Sequence, residues 1–406
     1  MFAAKLFGQI CEKLGQPAVL GELIAGIILG NLFLFGFNAA ESFKTNAAIE
    51  TLAQLGIIIL LFEVGLETNL KDMKRVGVSS LIVAVVGVVA PFVLGWGAAK
   101  LFLGEQATLS HIFIGAMLCA TSIGITARVL RDMGRLNDRE AHIILGAAVI
   151  DDVLALLVLA IVEGAIYAQS VGTSLEISVF VIIALKAMAF IVGAILVGQF
   201  LVPKLFRFLQ SFKSHGFVLG LSIAICFLFA WASVKMGLAA IIGAFAAGMI
   251  LDEASFKHFI DHEKHDLIDF LAPISAILAP IFFVSVGLKV DLRAFGQPEL
   301  LGFAAVLTLA AIIGKQACSL GVTEKGINRT AIGIGMITRG EVVLFFASTG
   351  AVLMLPNAQG MNEPVINSST FGAVVIMVMV TTLITPLALK WSLGRKKIKE
   401  TETSAA

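Results

Sequence analysis

Runs of about 20 apolar residues recur from one end of this chain to the other, each long enough to cross a bilayer as a helix. The hydrocarbon core holds no water for backbone N–H and C=O groups, so runs of this length read as helices. Thirteen are predicted, at 1–14, 17–37, 50–68, 77–102, 108–131, 138–168, 175–202, 214–235, 237–251, 266–290, 299–320, 327–355 and 366–392. Composition agrees: of 406 residues, 58% are hydrophobic and 14% charged, and the mean hydropathy is +0.98. A soluble domain of this size would have too few polar residues to cover its surface. The predicted fold class is an all-α polytopic membrane protein with about 13 transmembrane helices. Its partners are membrane lipids. A net charge of +1 offers no argument for nucleic acid or an acidic partner. Cys11, Cys119, Cys226 and Cys318 are scattered through apolar runs without pairing or metal spacing, and read as small core residues. The opening carries a lone Lys5 and no small-residue cleavage site, so no cleavable signal peptide is expected.

Lysine and arginine alternate between loops. Lys71, Lys74 and Arg75 occupy one; Arg128, Arg131, Arg135 and Arg139 the next of that side. Lys204, Arg207 and Lys213, then Lys257 and Lys264, then Lys325 and Arg329 continue the series, and Arg395, Lys396, Lys397 and Lys399 end it. The opposite loops hold few basic residues, so the positive-inside rule puts the N-terminus outside and the C-terminus in the cytoplasm. The chain is expected to have no soluble regulatory domain after its last run.

Ionisable residues deep in such runs are costly and usually functional. They are Glu22, Glu63, Asp151, Asp152, Lys186, Lys315, Arg339 and Glu341. Asp151 lies nine residues past His142, about 14 Å along a helix axis, which places the aspartate pair near mid-membrane. Asp151 and Asp152 point about 100° apart on the helix, so they face different partners around one cavity. Two neighbouring carboxylates in low dielectric cannot both ionise cheaply; a bound cation or a lysine relieves them. Lys315 is the only lysine near the middle of the last runs, and a buried lysine is readily deprotonated. Two carboxylates and one lysine can thus exchange protons against a metal cation. The competing reading is a static buried ion pair, for which one aspartate would suffice.

Two runs carry small and hydroxyl residues at mid-span. "CATSIGITARVL" places Thr121, Ser122, Gly124 and Thr126 there, and "GIGMITRGEVVLF" places Gly335, Thr338, Arg339, Gly340 and Glu341. Such residues let a helix unwind, freeing carbonyls to coordinate a cation. Arg339 and Glu341 have the signs needed to neutralise the half-helix ends. Close helix packing through small residues is the other reading of either segment. Runs four to six and eleven to thirteen match in order (an intact run, a broken one, an intact one), with opposite orientation expected, which makes an inverted-topology repeat.

At these residues the sequence resembles the monovalent cation:proton antiporter-2 family, close to its NapA-type bacterial sodium/proton antiporters. The likeness covers nearly the whole chain, through "GQPAVLGELIAGIILG", "LLFEVGLETNL", "ATSIGITARVL", "GAAVIDDV", "LAPIFFVSVGL", Gly314–Lys315 and "TRGEV". The resemblance implies a homodimer: a dimerisation domain from 1–76 and 213–295, a mobile core from 77–168 and 296–394, a linker helix over 169–212 and a cytoplasmic tail from 395–406. It implies elevator-like alternating access, Asp152 as the main Na⁺ ligand with Asp151 beside it, and Asp151 paired with Lys315. Thr121, Ser122 and Thr126 join them as candidate ion- and proton-binding residues. Members with an Asp-Asp pair are generally electrogenic. Two departures stand out: the first run is short, and Glu63 occupies a position where an apolar residue is common.

The expected function is exchange of Na⁺ or Li⁺ for H⁺, with no cofactor beyond the transported ions. The alternative is a K⁺/H⁺ exchanger or K⁺ efflux system. The nucleotide-binding domain and Gln-Asp motif of the potassium efflux branch are missing from this chain, and no filter-like loop suggests a channel. An intramembrane aspartyl protease would need its aspartates on facing helices sharing a proton, so no enzymatic activity is expected. Finally, His258, His262 and His265 fall on one face of a predicted cytoplasmic helix, with Asp261 and Glu263 alongside. They are candidate pH sensors, against the alternative of a solvated helix with incidental histidines.

Overall fold

The computed structural model describes residues 1–35, 41–44, 46–67, 77–104, 108–133, 135, 138–170, 177–209, 215–251, 267–296, 298–356 and 362–403. The candidate sensor histidines, 258, 262 and 265, lie outside them.

The described chain is almost wholly helical. In order come α1 (Phe2–Lys13), α2 (Ala18–Gly30), α3 (Ala47–Glu67), α4 (Val78–Phe102), α5 (Thr108–Met117), α6 (Ile123–Asp132), α7 (Arg139–Ser170) and α8 (Ile177–Leu209). Then follow α9 (His215–Lys235), α10 (Ala240–Ile250), α11 (Leu267–Leu288), α12 (Pro298–Gln316), α13 (Arg329–Gly335), α14 (Glu341–Gly350) and α15 (Ser368–Thr403). Short 3₁₀ turns follow α2, α11 and α12, and strands β1 (Met354–Pro356) and β2 (Asn362–Pro364) pair antiparallel with Leu355 opposite Glu363. Among the described residues seven helices, α3, α4, α7, α8, α11, α12 and α15, are long and apolar enough to cross a membrane; α2, α5, α10, α14 and much of α9 are shorter apolar helices. The protein is therefore a multi-pass membrane protein. α15 continues through 395 to Thr403, in keeping with the good helix formers Arg, Lys and Glu there.

Local chemistry sets the helix ends. Pro17 caps α2 with extended backbone, where its missing N–H costs nothing. Asn31 closes the same helix by donating to Ile27 O and Val290 O, both at 2.8 Å, and accepting from Leu292 N at 2.9 Å, which ties α2 to the end of α11. Asn328 caps α13 by accepting from Ala331 N, and its own N–H reaches Glu140 of α7 at 2.9 Å.

The helices pack in two groups. α1–α3 and α9–α11 pack mainly on one another; α4–α7 and α12–α15 form the second group. α8 touches both, through α7 and α10. We call the first group the scaffold and the second the core.

Candidate ion-binding site

Both hydroxyl-rich segments interrupt their helices. Residues 118–122 separate α5 from α6, and 336–340 separate α13 from α14. The two gaps cross: Ser122 N donates to Thr338 O at 3.0 Å, and Thr126 Oγ1 donates to Gly335 O at 2.7 Å. Thr126 Oγ1 also lies 3.1 Å from Thr338 Oγ1. Gly340 permits the approach, since a Cβ there would meet Ser122 Cβ and Oγ at 2.7 Å.

Breaking two helices leaves carbonyls and N–H groups without intrahelical partners. Arg339 meets the carbonyls. Its side chain is fully buried, and its NH1 donates to Ala120 O and, at 3.4 Å, to Cys119 O, beyond the C-terminal end of α5. A cation there complements the negative helix end. Glu341 opens α14 and accepts from Ser122 Oγ at 3.0 Å, beside the first turn of α6. One carboxylate thus sits near two positive helix ends. Thr382 of α15 donates to Arg339 O at 2.7 Å and takes up one more freed carbonyl.

Asp151 lies next to this crossing. It is wholly buried, accepts from Lys315 Nζ at 2.7 and 2.9 Å on its two oxygens, and from Thr121 Oγ1 at 2.7 Å. α4 passes over the pair at Gly87, where a Cβ would stand 3.4 Å from both Asp151 Oδ1 and Lys315 Nζ and 2.8 Å from Cys318 Sγ. Cys119 Sγ contacts Val88 O at 3.4 Å on the same stretch. Asp152 differs from its neighbour: it keeps 7% exposure where Asp151 has none. One aspartate is sealed and ion-paired, and the adjacent one retains accessible surface.

A cavity of about 320 Å³ separates scaffold from core. Glu12 and Glu63 line its scaffold side; Ser122, Glu341 and Thr382 line its core side. Glu63 accepts from Ser275 Oγ of α11 at 2.7 Å.

The structure therefore brings together Thr121, Asp151 and Lys315, and separately Ser122, Thr126, Arg339 and Glu341, with Asp152 adjoining the first set. Sequence reasoning did not pick out Gly87, Thr382, Ser275 or the placement of Cys119 and Cys318. Gly87, Thr382 and Ser275 lie in ordinary apolar or hydroxyl-bearing helices, Cys119 in the interruption after α5 and Cys318 in the 3₁₀ turn after α12, and only tertiary packing reveals their neighbours.

Residues 1–394 match the family described as "Sodium/hydrogen exchanger, transmembrane". The chain belongs to that family. It is 39% identical to the high-affinity Na⁺/H⁺ antiporter NhaS3 of Synechocystis sp., over 95% of this chain and 86% of that one. It is 38% identical to the probable Na⁺/H⁺ antiporter GerT of Bacillus cereus, over 96% of each. It is also 34% identical to the Na⁺/H⁺-K⁺ antiporter GerN of Bacillus cereus, over 98% of this chain and 95% of that one. Among solved structures, the sodium proton antiporter MjNhaP1 of Methanocaldococcus jannaschii shares the fold: TM-score 0.70 at 18% identity, over 96% of this chain and 94% of that one.

Proposed function

We propose that this family member is a secondary active antiporter exchanging Na⁺ (or Li⁺) for H⁺ across a bacterial inner membrane. The observation that carries the reading is the fully buried Asp151–Lys315 pair at 2.7 Å, with the more accessible Asp152 next to it, beside the crossing of two interrupted helices. Asp152 is the carboxylate that exchanges a cation for protons. When Na⁺ sits there, its charge takes the place of the proton; when Na⁺ leaves, the carboxylate is reprotonated. Asp151 holds Lys315 as an ammonium, and release of that proton during the cycle makes exchange electrogenic. Thr121, Ser122 and Thr126 order the oxygens around the site.

In this reading the core moves against the scaffold in an elevator-like step, and the cavity between them is the route to one side. The thirteen predicted runs are thirteen crossings, the core triplets are inverted repeats, and the scaffold forms a homodimer interface. The N-terminus lies outside and the C-terminus in the cytoplasm. No cofactor takes part, and the only covalent change is the gain and loss of protons. K⁺ is the second cation to weigh, because one relative, GerN, is named for both ions.

The test uses proteoliposomes holding a pH gradient. Na⁺ added to the outside is expected to dissipate the gradient, with Li⁺ similar and K⁺ weaker. Dissipation by K⁺ alone would favour the second reading; none with any of the three would overturn exchange.

A further inference from the structure

Eight buried side-chain N or O atoms have no hydrogen-bond partner among the described residues, and their distribution is uneven. Five belong to one end of the core: His111 Nε2 in the first turn of α5, Glu163 Oε1 and Gln169 Oε1 toward the end of α7, Ser348 Oγ at the end of α14 and Thr370 Oγ1 at the start of α15. α7 and α14 both pack on α5, and α14 packs on α15, so these groups share one end of a packed unit. Buried polar atoms almost always find partners, and where protein supplies none, ordered water does. This end is the one opposite the loops rich in lysine and arginine.

Glu163 is distinguished among the five as the one carboxylic acid, a group that is neutral when it holds a proton and charged when it has given it up. Titratable groups on the elements packed around α7 at this end include Lys100 of α4, His111 of α5, Lys186 of α8 and Glu363 of β2; none forms an ion pair with Glu163 among the described residues. A lone ionised carboxylate with a buried, unpartnered oxygen is costly, and a proton removes that cost. Glu163 also has a fixed relation to the transport carboxylate. It lies eleven residues after Asp152 on the uninterrupted α7, which is about 16 Å along the axis and within about 20° of the same helix face. Leu156 and Leu159 occupy that face between them, exposed by 2% and 0%.

We propose that Glu163 is a proton-relay residue of the core, loaded from the outer side through water held by this cluster of polar groups. The inference rests on the antiporter reading above. It separates the proton's outer route, through the core interior, from the cation's route along the scaffold–core cavity. A proton passes from outer water to Glu163, which becomes neutral. It is handed on by water to Asp152 after that carboxylate has lost its cation, leaving Glu163 ionised until the next proton arrives. Leu156 and Leu159 keep the two carboxyls apart in this conformation, so loading and hand-over are separate steps.

The test is Glu163→Gln in proteoliposomes, with rate measured against outer pH and against Na⁺. Wild-type protein must first show Na⁺-dependent proton movement; its failure would sink the antiporter reading and not this one. Given that activity, Glu163→Gln is expected to slow exchange about tenfold at alkaline outer pH, where protons are scarce, and less at acid pH. The Na⁺ KM should stay within about twofold, because the relay touches no cation. Wild-type rates across the whole pH range, or a loss confined to Na⁺ KM, would overturn the proposal. If the variant does not fold, wild-type protein serves: dicyclohexylcarbodiimide, which attacks protonated buried carboxyls, should label Glu163 by peptide mass spectrometry, and the fraction labelled should track lost exchange. No labelling at Glu163, or labelling without loss of exchange, would contradict it.

Discussion

Scaffold and core are both bundles of apolar helices, yet they differ in what is added to their apolar packing. The scaffold is joined by glycines in reciprocal pairs. At Gly26 of α2 a Cβ would stand 2.9 Å from Gly287 Cα of α11, and at Gly248 of α10 a Cβ would stand 2.7 Å from Gly65 Cα of α3. In lipid, where burial of apolar surface drives little helix association, small residues let backbones meet and gain dispersion contacts. Such an interface has one good geometry. The core has glycine contacts of the same kind, as where a Cβ at Gly314 of α12 would stand 2.7 Å from Pro91 Cα of α4, but adds buried polar groups to them: Asp151 with Lys315 and Thr121, Arg339 with the carbonyls of 119 and 120, Ser122 with Glu341. These partners can exchange a proton or a cation without losing backbone contact. In the proposed antiport cycle the first group stays rigid and the second carries the chemistry.

That contrast breaks most sharply at Asp152. Asp152→Asn should abolish Na⁺-dependent proton movement, at least about a hundredfold, while thermal melting of the purified protein stays close to wild type. An amide binds neither a proton nor Na⁺ charge as a carboxylate does. Wild-type-like exchange in this variant would remove the chemistry from the core.

The scaffold should respond in the opposite way. Gly287→Val places side-chain atoms against Leu23 O and Ile27 N of α2, and overpacking of this kind costs about 1–3 kcal/mol or more. Folded yield and melting temperature should fall, and the protein that does fold should keep its Na⁺ dependence. A variant of unchanged stability would mean that the glycine contact is not what holds the scaffold.

Lys315→Gln sharpens the comparison within the core. It leaves Asp151 buried without its cation, and a buried carboxylate so stranded takes up a proton. Exchange should persist more slowly, with transport currents on solid-supported membranes clearly reduced. Currents equal to wild type in sign and size would show that Lys315 releases no proton.

Glu63 straddles the two groups, since it belongs to the scaffold and lines the shared cavity. Glu63→Gln keeps an oxygen for the Ser275 hydroxyl and should shift the apparent Na⁺ KM by no more than about threefold, through weakened attraction of the cation. A loss as large as that of Asp152→Asn would make Glu63 part of the transport site itself.

Much of this arrangement was legible in the sequence because lipid imposes strong rules. Long apolar runs announced the helices, and the cost of charge in hydrocarbon singled out Asp151, Asp152, Lys315, Arg339 and Glu341. The interruptions at 118–122 and 336–340 could be read from Thr, Ser and Gly in otherwise apolar stretches. Other features have no one-dimensional signature. Gly87 looks like any transmembrane glycine until α4 is seen passing over the ion pair, and Cys318 reads as core until its sulfur is found there. Glu163 carries no signal in the sequence because it falls near a run's end, where charge is ordinarily solvated; in the structure α7 extends seven residues past it, to Ser170, and one carboxyl oxygen is enclosed.

In the proposed cycle Na⁺ and H⁺ compete for the aspartates of α7. Isothermal titration of Na⁺ into the purified protein between pH 6 and pH 9 tests it directly. Each proton displaced per Na⁺ weakens apparent affinity by up to about tenfold for each pH unit of acidification below its site's titration, so displacement from Asp152 alone sets the least slope and release from Lys315 steepens it. The account predicts that slope for the wild-type protein and no measurable Na⁺ binding for Asp152→Asn. Na⁺ affinity that does not change with pH, or that survives in Asp152→Asn, would contradict it.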